Sequence, residues 1–199
     1  MIKHFLVRYT QINKVHIDFF IKKIGSKNIL IGPERKVYAS DHTEDLYFLP
    51  EIVIFPSSTN EVSIILKYCN DNNIPITPSA GLTGLSGGAL TVCGGVSLSM
   101  EKMNKLISID EKNFQAVVQP GLINEDFQNT LSKKRLFYPP DPASKGSCTL
   151  GGNFALNAGG PKAVKYGVTS NYILNLQIVL PNGDIFWTGA NTLKNSTGY

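Results

Sequence analysis

A glycine-rich stretch, residues 78–89, has the composition best suited to chemistry with an anion. It contains four glycines, the hydroxyl side chains of Ser79, Thr83 and Ser86, and no charged residue. Glycines permit positive φ and close approach of a ligand, and successive backbone N–H groups in such turns form an anion-binding concavity. The stretch therefore predicts a diphosphate cradle, with an ordinary turn between two strands as the alternative. The stretch is not a P-loop, because the Lys-Ser/Thr pair of that motif does not follow the glycines. It is not a Rossmann motif either, because no helical periodicity follows the last glycine.

A second stretch, residues 137–160, has the composition of a wall that lies flat against a planar ring. Three prolines surround Asp141 and predict a rigid, extended turn. Small residues that offer backbone donors follow beside a predicted short helix: Thr149, Gly151, Gly152 and Asn153. Long loops without regular structure are uncommon unless they bind a ligand. The alternative is an ordinary long loop with a structural asparagine.

Two predicted strands and a helix position the glycine-rich stretch. Residues 51–55 and 74–77 are strand-like apolar runs. Between them, Ser58 and Glu61 predict a capping box, and residues 62–69 carry one apolar helical face. The length of this crossover favours parallel pairing of the two strands. Because the glycines follow the carboxyl end of the second strand, where α/β units commonly bind ligands, the cradle is favoured over the turn.

The remaining patterns predict an α+β fold. A helix is expected over residues 14–24, ended by Gly25, and residues 33–50 are expected to be an arm or loop. Further predicted elements are an antiparallel sheet of residues 96–100, 106–109 and 116–119, a helix at about 124–133 with Asn124 as N-cap, and a hairpin of residues 174–180 and 185–187. We expect a helix and arm at 1–45 and a domain at 46–199, with a small parallel sheet, flanking helices and an antiparallel sheet.

Composition excludes several classes of protein. With 42% hydrophobic and 17% charged residues, the 199-residue chain is typical of a soluble globular protein, and its net charge of +4 comes from scattered Lys and Arg rather than a nucleic-acid-binding run. The three cysteines form no C-x-x-C pair, which disfavours a zinc site or a disulfide framework and favours the cytoplasm. All three histidines precede residue 78, and no apolar run is long enough to span a membrane. We expect no metal site, and the acidic cluster of Asp41, Glu44 and Asp45 is interpreted as a solvated turn.

Six motifs in this order resemble one protein family. They are Thr-Gly-Leu-Ser-Gly-Gly at 83–88, Pro-Pro-Asp-Pro-Ala-Ser at 139–144, Thr-Leu-Gly-Gly-Asn at 149–153, Asn-Ala-Gly-Gly at 157–160, Lys-Tyr-Gly-Val at 165–168 and Lys-Asn-Ser-Thr-Gly-Tyr at 194–199. From about residue 46 to its end, the chain resembles the FAD-binding (PCMH or vanillyl-alcohol-oxidase type) domain of FAD-linked oxidases and dehydrogenases. Within that group it is most similar to the branch of the glycolate oxidase D subunit and D-lactate dehydrogenase.

The resemblance implies a set of residues that bind FAD between the two parts of the fold. The diphosphate loop corresponds to Ser79, Ala80, Gly81, Thr83, Gly84, Leu85, Ser86 and Gly87. The wall along the flavin and its ribityl chain corresponds to Pro140, Asp141, Ser144, Thr149, Gly151, Gly152 and Asn153, and the next FAD-lining turn to Gly159, Gly167 and Val168. The loop departs from the Arg-Gly-x-Gly start that is common in the family, since Ser79, Ala80 and Leu82 stand there. No histidine or cysteine stands where covalently flavinylated relatives carry theirs, so non-covalent FAD is expected, with Cys148 in a packing role.

The resemblance also implies an activity, the oxidation of a 2-hydroxy acid of the glycolate or D-lactate type. A hydride would pass to flavin N5, and the electrons would leave to a quinone, a cytochrome or a partner subunit. The alternatives are a non-catalytic FAD-binding fragment, one half of a split enzyme, or a structural domain without a ligand. In the family, a further FAD loop and a substrate-binding cap follow the motif that ends here at Tyr199. We therefore expect this chain alone to bind flavin without turning over substrate, and to need a complementing C-terminal chain.

Overall fold

A four-stranded sheet lies at the centre of the N-terminal half of the protein. The structure is a computed structural model that describes residues 9–43, 45–190 and 192. The strands are β1 (Ile29–Leu30), β2 (Ile52–Ile54), β3 (Ile76–Ser79) and β4 (Val96–Ser99), in the spatial order β1-β2-β4-β3. Strands β2, β4 and β3 run parallel, and β1 pairs with β2 in the antiparallel sense.

The position of β4 differs from the prediction. Strands β2 and β3 are parallel, as expected, but β4 lies between them and pairs with both, so they are not neighbours. The prediction of residues 96–100 in an antiparallel sheet is wrong. The alternation Val-Ser-Leu-Ser is typical of a half-exposed strand, yet all four side chains are buried, as expected for a central strand of a parallel sheet with both faces covered.

Helices α1 (Lys14–Ile24) and α2 (Thr59–Asp71) pack on this sheet. The predicted first helix is confirmed, and it ends at Gly25, whose φ of 85° disfavours a residue with a side chain. Its Phe20 and Ile24 join the same core as α2 and the strands. At the start of α2, Ser58 Oγ accepts from the backbone N–H of Glu61, as predicted. The Glu61 carboxylate accepts from the backbone N–H of Ser57 rather than Ser58, so the expected capping box is displaced by one residue.

A second, smaller core lies in the C-terminal part. Its elements are the antiparallel pair β5 (Leu106–Asp110) and β6 (Gln115–Val118) and helices α3 (Asn124–Ser132) and α4 (Leu150–Leu156). Phe127 and Leu131 of α3 pack with Leu150 of α4 in the core. Helix α5 (Ala163–Tyr166) and the hairpin of β7 (Gln177–Val179) and β8 (Ile185–Trp187) lie outside it, and Val179 packs against the core of the four-stranded sheet. The α+β prediction is confirmed, although the antiparallel strands β5 to β8 form two separate hairpins and not one sheet.

The segment predicted as an arm or loop contains a short 3-10 helix, Pro33–Tyr38, and it packs closely on the sheet domain. Tyr38 and Ala39 are buried at its end. The division of the chain at residues 45–46 stays a prediction. Across the described ranges, no helix combines the length and the apolar character that a membrane span requires.

Candidate functional site

The glycine-rich loop begins directly after β3 and leaves its backbone donors unused. None of the N–H groups of residues 82–89 donates a hydrogen bond to another described residue. The chain turns with positive φ at Leu82 (52°) and Gly87 (69°), and the side chain of Leu85 is 77% exposed. A run of unpaired amides in such turns is the arrangement that binds an anion. The structure of the loop therefore fits the diphosphate of a dinucleotide.

The two stretches singled out in the sequence contact each other. A Cβ on Gly81 would overlap the carbonyl oxygen of Ser147 and would lie 3.3 Å from Cys148 Cα. A Cβ on Gly84 would lie 3.4 Å from Leu156 Cδ1, at the end of α4. Only glycine allows the approach at position 81, because the neighbouring atoms belong to backbone. The loop and the segment of residues 137–160, which we call the wall, thus form two sides of one site.

Most of the backbone N–H groups of the wall that the sequence suggested for a ligand donate to acceptors within the protein. Thr149 is the N-cap of helix α4, and its Oγ1 accepts from Gly152 N at 3.2 Å. The N–H of Gly151 donates to Pro120 O at 2.8 Å, and that of Asn153 donates to Thr149 O at 2.8 Å. The backbone donors expected here therefore stabilise the wall itself. Gly151 has a further structural role, since a Cβ there would lie 2.6 Å from Pro120 Cβ.

A buried amide network fastens the wall to α3. Asn124 is completely buried; its Nδ2 donates to Pro140 O at 3.3 Å and its Oδ1 accepts from Asn153 Nδ2 at 3.0 Å. Gln128, one turn later, donates to the same Pro140 oxygen at 2.9 Å. The sequence pointed to Asn124 as an N-cap, but Ile123 occupies that position and the Asn124 side chain turns inward. Asn153, expected along the flavin, directs its amide into this network.

Asp141 ties the wall to the next turn through charge. Its carboxylate lies 3.0 Å from Lys162 Nζ and 3.3 Å from Lys145 Nζ, and its side chain is 12% exposed. The two ammonium groups, Lys162 first, lower the pKa of Asp141 below its usual value. The backbone closes the same junction, because Asp141 N donates to Gly159 O at 3.1 Å and a Cβ on Gly160 would overlap Asp141 O. The Asp141 carboxylate therefore acts within the protein as a clamp.

The other predicted site residues divide between core and surface. Ser79 is buried and shares a hydrogen bond with Ser97 across the sheet at 3.0 Å. A Cβ on Gly159 would lie 3.1 Å from Val168 Cγ1, so these two residues are in contact. Ser144 O accepts from the N–H of Ser147 and of Cys148. The remaining members of the set are half-buried or exposed around the loop and the turn: Ala80, Thr83, Ser86 and Gly167. The last motif, residues 194–199, lies outside the described residues.

No metal centre is visible in the part of the chain that the structure describes, since it contains no group of three His, Cys, Asp or Glu side chains placed to hold an ion. His16 is buried in α1, where its Nδ1 accepts from Asn13 N at 3.3 Å. His42 differs, because its backbone N–H donates to Gly84 O at 3.1 Å. This histidine, which precedes the loop in the sequence, therefore contacts the loop through its backbone.

Sequence comparison finds long relatives that this chain matches over part of their length. It is 42% identical over 197 residues to D-lactate dehydrogenase of Anaerostipes hadrus, covering 96% of this chain and 40% of that protein. It is 44% identical over 165 residues to glycolate oxidase subunit GlcD of Bacillus subtilis, covering 83% and 35%. D-2-hydroxyglutarate dehydrogenase of Stutzerimonas stutzeri is 36% identical over 162 residues, covering 81% and 35%. The chain thus spans about 35–40% of the length of these relatives.

Structural comparison gives the same fold at low sequence identity. An alkyldihydroxyacetonephosphate synthase matches with a TM-score of 0.79 and 20% identity, covering 96% of this chain and 36% of that one. p-Cresol methylhydroxylase matches with a TM-score of 0.72 and 22% identity, covering 94% and 38%. These likenesses confirm the PCMH-type fold. The sequence model of the FAD binding domain family matches residues 50–189, and the chain belongs to this family, whose cofactor is FAD.

Proposed function

We propose that this chain is the FAD-binding part of an oxidoreductase that acts on a 2-hydroxy acid. The observation that carries the proposal is the row of unused amides at residues 82–89, held against a fastened wall. The names of the relatives, D-lactate dehydrogenase, glycolate oxidase and D-2-hydroxyglutarate dehydrogenase, point to a 2-hydroxy acid as substrate. Since the chain spans less than half of each relative, the 2-hydroxy acid substrate and the electron acceptor are proposed for the protein and not established by the likeness.

The glycine-rich loop and the wall would have different roles in binding FAD. The amides of residues 82–89 would hold the diphosphate, because they form a continuous run of donors that no other described residue accepts from. Pro140 and Asn153 would carry the ligand-facing surface of the wall in a fixed position, since both are held by Asn124. Bound FAD supplies the hydride-accepting chemistry, and the protein supplies its position and surroundings.

We further propose that FAD is bound without a covalent link. The proposal rests on the absence of a histidine or cysteine at the sequence positions that anchor flavin in covalent relatives. Acid precipitation of the holoprotein should release the flavin into the supernatant. Flavin that stays in the washed, denatured pellet would contradict the non-covalent mode.

The substrate is identified with protein purified from the cells that naturally produce it, so that any partner chain is retained. Tagged at its N-terminus and purified under native conditions, the chain should carry FAD, and anaerobic D-lactate or glycolate should bleach the visible flavin band. An electron acceptor or a complementing C-terminal chain would be expected in the same preparation. If dithionite bleaches the flavin and no 2-hydroxy acid does, the protein is instead a non-catalytic FAD-binding module. We propose a cytoplasmic location, supported by the free thiols of Cys69, Cys93 and Cys148.

A further inference from the structure

A turn of the N-terminal segment, residues 41–43, contacts the glycine-rich loop. Asp41 Oδ1 accepts from the backbone N–H of Thr43 at 3.0 Å and from its hydroxyl at 2.6 Å, which closes the turn. Within the turn, His42 N donates to Gly84 O at 3.1 Å. This bond joins the loop to a segment that the family model, which begins at residue 50, does not include.

The segment that carries the turn is anchored on both sides. Ala39 is completely buried before it. After the turn, Phe48 N donates to Ala39 O at 2.7 Å, and Phe48 O accepts from the hydroxyl of Thr91 at 3.2 Å. Thr91 follows the glycine-rich loop in sequence and is itself buried. These contacts fix the position of the turn relative to the loop. The hydrogen bond from His42 N to Gly84 O can therefore orient the peptide plane between Gly84 and Leu85.

The bond to Gly84 determines where the next amide points. In a trans peptide the C=O of one residue and the N–H of the next point in opposite directions within one plane, and the described residues contain no cis peptide. Because Gly84 O points at His42, the N–H of Leu85 points away from the turn. That N–H donates to no other described residue, which leaves it available to a ligand.

We propose that the turn of residues 41–43 is a positioning device for the anion site, in which the His42 N–H orients the Gly84–Leu85 peptide so that the Leu85 N–H faces the cofactor diphosphate. The inference rests on the proposed FAD-binding function and adds a part of the chain outside the family match. Without this bond the peptide is free to rotate, and the site loses a preorganised donor.

The decisive comparison is His42→Pro against His42→Ala. Both remove the imidazole, but only proline removes the N–H, and proline is well tolerated at the second position of a turn that opens with aspartate. FAD affinity, measured by quenching of flavin fluorescence, should be about five- to tenfold weaker for the proline variant than for the alanine variant, the effect of one hydrogen bond. Equal affinities in two variants with the same circular dichroism spectrum overturn the proposal.

A second pair keeps the test valid if the proline variant does not fold. Asp41→Asn retains the Oδ1 that accepts from Thr43, whereas Asp41→Ala removes it, so FAD should bind more weakly to the alanine variant. The Leu85 amide gives a direct readout, because its NMR resonance should shift with inorganic pyrophosphate in the unsubstituted chain and shift less in Asp41→Ala. A Leu85 resonance that ignores pyrophosphate overturns the proposal. Failure of the unsubstituted chain to bind FAD while that resonance responds counts against the proposed function alone.

Discussion

The glycine-rich loop and the wall face one site but are built in opposite ways. Among the residues that the structure describes, none accepts from the amides of residues 82–89, whereas the amides of Gly151, Gly152 and Asn153, at the start of α4 in the wall, are paired within the protein. The wall is held by side chains, Asn124 and Asp141, through buried amides and ion pairs. Small residues are thus common to both stretches for different reasons. In the loop they leave donors free for a ligand, and in the wall they allow segments of the protein to pack closely.

Substitution of a wall glycine should affect folding most strongly. A Cβ on Gly160 would overlap Asp141 O, and the residue has a φ of 88°. Gly160→Ala should therefore lower the free energy of unfolding by about 3 kcal/mol, measured by urea denaturation without FAD. Gly88→Ala is the matched control, because its Cβ would meet nothing closer than Ser86 Oγ at 4.0 Å. A stable Gly160→Ala protein would show that the wall is less tightly packed than described.

Substitution of a loop glycine should act on FAD instead. A Cβ on Gly84 would lie at ordinary contact distances of 3.4 Å from Leu156 Cδ1 and 4.0 Å from Asp41 Oδ2, so the fold tolerates it, while the two further methyl groups of Val would push the loop away from these neighbours and displace its amides. We expect Gly84→Val to weaken FAD binding by at least about a hundredfold and to unfold at nearly the unsubstituted urea concentration. Unchanged FAD affinity in the folded variant would return the loop to a simple turn.

The buried amide network of Asn124 should contribute less to the free energy of unfolding than Gly160 and more than the Asp141 ion pairs. Asn124→Leu would leave the Asn153 amide without its partner and remove one of two donors to Pro140 O, which should cost about 2 kcal/mol of unfolding free energy. The same substitution at Asn129, on the exposed face of α3, is the control. A loss of equal size in both variants would mean that leucine in α3, and not the network, is responsible.

The Asp141 clamp should have the smallest effect and a characteristic pH dependence. Because the pKa of the folded state is lowered, the clamp stabilises the protein above the unfolded pKa of about 3.9 and is lost as pH falls through the folded pKa. Since both lysines are 44% exposed, Asp141→Asn should cost under about 1 kcal/mol at pH 7. Melting temperatures of the two proteins should converge in acid and at high salt. A difference that persists below the folded pKa would exclude the ion pairs as its cause.

Periodicity in the sequence predicted α1 and α2, which have one apolar face, and the turn residues 181–184 predicted the hairpin of β7 and β8. It failed for β4, because alternation with serine is also compatible with a strand buried on both faces when Ser97 bonds to a serine of the next strand. Motif spacing identified both sides of the site. The motifs did not show that the Asn124 side chain points into the protein, since an asparagine at a helix start is also a common cap. They also did not show that the backbone N–H of His42 bonds to the loop.

In the proposed mode of binding, the glycine-rich loop, and not the start of α4 in the wall, supplies the donors for the cofactor diphosphate. Amide NMR of the 199-residue chain during titration with FAD tests it directly. One FAD should bind per chain and should bring new hydrogen-exchange protection to the amides of residues 82–89, whereas the amides of residues 151–153, already bonded within the protein, should keep the protection that they have without FAD. No binding, or new protection confined to the start of α4, would contradict this assignment.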